Sequence, residues 1–96
     1  MAKRSLFIVE DGKIKIGKVR FHKDLAENKD NVRGGGEFKL NKDDRTFTLF
    51  GKSHDFGPAD KDEVQALIDQ DQVWEYGKRN LCKMWGFKVG DVPQST

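Results

Sequence analysis

The sequence predicts a single small α+β domain built on a mixed β-sheet of about four to six strands with two or three helices. Three observations carry that reading. Short β-rich runs recur through the first half of the chain. Turns rich in Gly, Asn and Asp separate them. One stretch near residues 60–70 combines helical apolar spacing with an acidic cap.

The elements follow in order. Residues 4–9, RSLFIV, carry apolar side chains in both phases and predict a central strand covered on both faces. Asp11-Gly12 is a turn dipeptide. Residues 13–20 alternate Lys13, Ile14, Lys15 and Ile16, the pattern of a half-buried strand. The alternation breaks at Gly17 and resumes with Val19 and Phe21, which predicts a bulge or bend at Gly17. Residues 22–30 predict a short helix with only Leu25 and Ala26 apolar. Gly34-Gly35-Gly36 costs chain entropy, so a steric or binding reason is expected; a flexible connection is the plain alternative. Phe38 and Leu40, a turn at 41–44, then Phe47 and Leu49 form the clearest hairpin. Residues 51–59 are a loop. Asp60 predicts an N-cap, with Glu63 completing a capping box. Val64, Leu67 and Ile68 supply the stripe of a helix to about residue 70. Residues 72–76 fit a short strand or a helical turn. Residues 78–86 predict a helix, and the last six residues are expected to fray.

Size and charge bound the function. A chain of 96 residues is one domain and buries roughly 60–65% of its extended surface. The 18 Lys and Arg against 16 Asp and Glu leave a net charge of +2, which argues against a dedicated nucleic-acid binder. Residues 1–48 hold a basic surplus and residues 49–96 an acidic one, so an anionic partner is expected to meet the first half. The lone Cys82 has no internal disulfide partner, and no zinc-ligand cluster is evident. The longest apolar run, LFIV, is too short for a secretory signal or membrane span, so a reducing cytoplasmic setting without a membrane role is expected. Lys13, Lys15, Lys18 and Arg20 read as the solvated face of a strand rather than a nucleic-acid surface.

Two features carry chemistry. His22 sits where the second strand ends; its imidazole suits a base or nucleophile, or is an ordinary surface histidine. The loop Gly51-Lys52-Ser53-His54-Asp55-Phe56-Gly57 joins a strand to a helix. Such a loop can aim successive backbone N–H groups at an anion, or can be a simple connection.

The Gly34-Gly35-Gly36 run, Asp44-Arg45 before an alternating strand, and Phe50-Gly51-x-Ser53-x-x-Phe56-Gly57-Pro58-Ala59 resemble the Janus/Ocnus family. Upstream, Phe21-His22-Lys23-Asp24 resembles its aromatic-His-x-Asp element. The resemblance spans residues 4–68 approximately, within one domain of residues 1–96 in which 77–96 are a C-terminal extension. It implies a phosphohistidine or phosphoramidate phosphatase that needs no metal or organic cofactor. His22 is then the catalytic residue, facing the Ser53 loop across a shallow basic cleft. Arg4, or Lys3 if the register slips, together with Lys23, Ser53, His54 and Asp55, is implied to bind the phosphoryl group. The implied substrate is a phosphorylated protein or a small phosphoramidate. Glu37 and Asp55 depart from the family pattern and bring negative charge toward that site. The alternative is a non-catalytic module of the same fold that binds an anion or a protein. Trp74, Tyr76, Trp85 and Phe87 would then offer a contact surface in the C-terminal segment, or else pack on the sheet.

Overall fold

The computed structural model describes residues 3–54, 56–75 and 86–90. Strands Arg4–Glu10 (β1) and Lys13–Val19 (β2) form an antiparallel hairpin. Its turn residues Asp11 and Gly12 have φ of 52° and 70°. Two-residue hairpin turns match strand twist best with positive φ at both positions, which Asp-Gly accepts. Strand Val32–Asn41 (β3) pairs antiparallel with β1, and Thr46–Phe50 (β4) pairs antiparallel with β3. The turn between them is held by the Asn41 side chain, whose Oδ1 accepts from the N–H of Asp43 and Asp44 at 3.0 and 3.4 Å. Helix Lys61–Asp69 (α1) follows, then strands Val73–Glu75 (β5) and Gly86–Val89 (β6). The sheet runs β5-β2-β1-β3-β4-β6. β5 joins β2, and β6 joins β4, in parallel, so the six-stranded sheet is mixed and the domain α+β.

Both faces of the sheet are covered, which explains the continuous apolar run of β1. Phe7, Val9, Ile14, Ile16, Phe47, Leu49 and Val73 face Val64 and Leu67 of α1 on the first face. Leu6, Ile8 and Leu25 form a smaller cluster on the second, joined by Val19, Ala26, Val32 and Phe56. α1 begins where Asp60 accepts from the N–H of Asp62 and Glu63 at 2.9 and 3.3 Å. The carboxylate of Glu63 pairs with Arg33 at 3.3 Å. No described helix is long and apolar enough to cross a membrane.

Several expectations need correction. The β1–β2 register runs unbroken through Leu6↔Gly17 to Arg4↔Val19, so there is no bulge at Gly17. Ile14 and Ile16 point to the first face, and Val19 points to the second. Two buried faces thus account for the apparent change of phase. The register shift lies instead at Val9/Glu10, where β1 meets β3. Residues 22–30 form no α-helix. They hold two 3₁₀ turns, His22–Leu25 and Lys29–Asn31. Residues 86–89 add a strand to the sheet; Phe87 stacks on Phe47 with ring centroids 5.2 Å apart. The helix expected at 78–86 otherwise lies outside the described residues, as do Tyr76, Cys82 and Trp85. Trp74, on the edge strand β5, is half-buried with Lys13 Nζ 5.8 Å from its ring centre.

One buried ion pair ties the second face together. Glu10, 1% exposed, accepts from Lys15 Nζ at 2.7 Å and from the N–H of Glu27 and Asn28 at 3.1 and 2.6 Å. Burial raises its pKa, but the Lys15 ammonium and the two backbone amides outweigh that. The carboxyl therefore titrates below its ordinary value of 4.5. A carboxyl depressed by folding adds stability above its unfolded pKa, and that stability is lost as pH falls through the folded pKa. Acid titration followed by circular dichroism is expected to show stability declining below about pH 4.5. Glu10→Gln is expected to lower stability at pH 7 and to flatten that decline. An equally steep decline in the variant would contradict this role for Glu10.

Candidate functional site

The site is built around the glycine run of β3. β4 leaves β3 after the pair Glu37↔Phe50. The chain loops out through 51–56 and returns so that Pro58 bridges to Gly35 in parallel. Gly57 closes this loop. Its carbonyl accepts from the N–H of Ser53 at 3.1 Å and of Gly35 at 3.2 Å, and its own N–H donates to Ser53 O at 2.9 Å. Ser53, 2% exposed, accepts at Oγ from the N–H of Phe56 at 3.2 Å. Phe56 packs on the second-face cluster. The loop is therefore pinned at both ends and along its inner wall.

His22 approaches the same strand from the second face. It opens a 3₁₀ turn closed by Asp24, whose N–H donates to Phe21 O at 3.0 Å. Asp24 Oδ2 accepts from the Phe21 N–H at 3.2 Å. Leu25 anchors the turn in the cluster that also holds Phe56. The imidazole is 4% exposed, and Nε2 lies 2.7 Å from the carbonyl oxygen of Gly36. A carbonyl only accepts, so Nε2 carries the proton in this contact.

The glycines make this approach possible. A Cβ on Gly35 would overlap the Phe7 carbonyl oxygen and come within 3.2 Å of His22 Cδ2. A Cβ on Gly36 would overlap the Phe50 carbonyl oxygen and stand 2.8 Å from Phe7 Cε1. The run is thus an interior strand with rings and backbone on its surface, not a flexible connection.

The other candidate residues fall as follows. Arg4 is exposed and alternates with Leu6 along β1, so it stands on the second face with His22. Lys23 is exposed, its Nζ 5.2 Å from the Phe21 ring centre. His54 is exposed. Asp55 and the reading placed on it lie outside the described residues. Lys3 is exposed at the head of β1. Glu37 pairs with Leu6 and shares its face; its Oε2 lies 3.6 Å from the position a Cβ on Gly51 would take. Its carboxylate therefore leans over the mouth of the loop. The Gly36 carbonyl that fixes His22 is a contact that sequence reasoning missed, because no side-chain pattern signals it. Among the described residues no group of three or more His, Cys, Asp or Glu could hold a metal ion.

A family model described as the Janus/Ocnus family (Ocnus) matches residues 16–78. His22, Glu37 and Ser53 fall inside the match, and Arg4 precedes it. No curated protein and no solved structure matches the chain.

Proposed function

The chain belongs to the Janus/Ocnus family, and from that premise we propose that it hydrolyses phosphohistidine or a related phosphoramidate. The observation that carries the reading is the fixed imidazole of His22, held by the Gly36 carbonyl at 2.7 Å. A ring held in place in this way suits His22 to attack phosphorus or to take a proton from water. Ser53 shapes the adjoining loop through its bonds to Gly57 and Phe56. The backbone amide of His54, in that loop, is assigned to a phosphoryl oxygen. Arg4, exposed on the same face, supplies positive charge to orient the phosphate, as does Lys23, which follows His22 in the chain. A phosphoryl group in transfer needs positioning and charge stabilisation more than elaborate covalent machinery, and this small site offers those.

Release of inorganic phosphate from phosphohistidine and phospholysine, followed by ³¹P NMR, tests the proposal. Turnover by the native protein is the expected result. Absence of turnover on every phosphoramidate tried contradicts it. Phosphate binding at the loop without turnover would leave the anion-binding module as the function.

A further inference from the structure

We infer that Glu37 sets the substrate class of this site, favouring phosphoryl donors whose leaving nitrogen is cationic over phosphate esters whose leaving group carries no positive charge. The inference rests on the phosphatase reading above. Gly35 and Glu37 are alternate residues of β3, so both lie on the second face, about 7 Å apart along the strand. A Cβ on Gly35 would stand 3.2 Å from His22 Cδ2, and Glu37 Oε2 lies 3.6 Å from where a Cβ on Gly51 would be, at the mouth of the loop. Because Leu6 pairs with Glu37, Arg4 is its diagonal neighbour on that face, again about 7 Å away. Lys39 continues the face beyond Glu37 and is exposed. Among the described residues the ion pairs are Lys15 with Glu10 and Glu27, and Arg33 with Glu63, so Glu37 has no cation within ion-pair distance there.

The second face thus carries the Glu37 carboxylate on β3 and, one diagonal step away on β1, the exposed Arg4, on the same face as the His22 ring. A phosphate dianion alone is repelled by the first and attracted by the second. A ligand with an anionic phosphoryl group and a cationic nitrogen satisfies both. Phospholysine is such a ligand, since its P–N nitrogen is protonated near neutral pH. In its hydrolysis the P–N bond breaks with its electron pair going to nitrogen. Water gives its hydroxyl oxygen to phosphorus, directly or after His22 has held the phosphoryl group. The proton released from water goes to the amine, which leaves as the ammonium, and hydrogen phosphate remains. Glu37 faces positive charge at the start and at the end of that step.

The test compares kcat/KM for phospholysine with that for p-nitrophenyl phosphate, whose leaving group is not cationic, in native protein, Glu37→Gln and Glu37→Asp. Glu37→Gln is expected to lower the phospholysine to p-nitrophenyl phosphate ratio by about tenfold, the effect of one nearby charge. Glu37→Asp, which keeps the charge, is expected to retain most of the preference. Circular dichroism checks that each variant is folded. Turnover with an unchanged ratio in Glu37→Gln overturns this inference and leaves the phosphatase reading standing. Absence of all turnover in native protein overturns both.

Discussion

His22→Ala is expected to lower kcat/KM for phosphoramidate hydrolysis by about 10²–10⁴, the usual contribution of a positioned acid–base group, or more if His22 is the nucleophile. The chain's other histidine, His54, is exposed in the 51–57 loop, whereas His22 is buried against Gly36. The substitution also leaves the Gly36 carbonyl without the bond that Nε2 supplies, a loss of about 1–3 kcal/mol when a buried polar group is left unsatisfied. Activity must therefore be read on protein shown to be folded by its thermal transition. A folded His22→Ala protein that keeps native turnover would remove His22 from the mechanism.

Gly36→Ala is expected to destabilise the fold by about 3 kcal/mol or more, lowering the thermal midpoint by more than about 10 °C. The added methyl would overlap the carbonyl oxygen of Phe50 and meet Gly51 C at 3.0 Å. Both are backbone atoms and have little room to give. It would also stand 2.8 Å from Phe7 Cε1, and Phe7 is fully buried in β1. The Gly36 carbonyl that orients His22 would move with the strand, so activity is expected to fall along with stability. Gly86→Ala is the control. There the methyl would meet Thr46 Cγ2 at 3.4 Å, an ordinary contact, and little change is expected. Equal midpoints for the two variants, measured by thermal denaturation, would contradict the packing described around β3.

Much of this fold was legible because its signals are local. The doubly apolar run of β1 marked a strand covered on both sides. The Asp-Gly turn, the Phe38/Leu40 and Phe47/Leu49 alternation and the Asp60 cap each depend on residues close in sequence. What was not legible depends on distant partners. The phase of Val19 makes sense only once Leu25 and Phe56 cover the second face. β6 pairs in parallel with a strand some forty residues earlier, and its short Phe87/Val89 alternation carries no sign of that. The stretch 22–30 had too few apolar residues to choose between an α-helix and 3₁₀ turns. Within the site, His22 and Ser53 stood out by their motifs. Their setting did not, because the Gly36 carbonyl and the Gly57 bridge are backbone groups brought in by topology. The triple glycine could be read as steric or as flexible until Phe7, Phe50 and His22 were found against it.

That His22 and the 53–57 loop form a single phosphoryl site is tested most directly by titrating ¹⁵N-labelled protein with inorganic phosphate. The signals to follow are the amides of Gly36, His54, Phe56 and Gly57 and the His22 ring. The expected result is that all of them shift together and saturate with one dissociation constant. Loop amides that stay fixed while phosphate binds elsewhere, or a His22 ring and loop that respond at different phosphate concentrations, would contradict it.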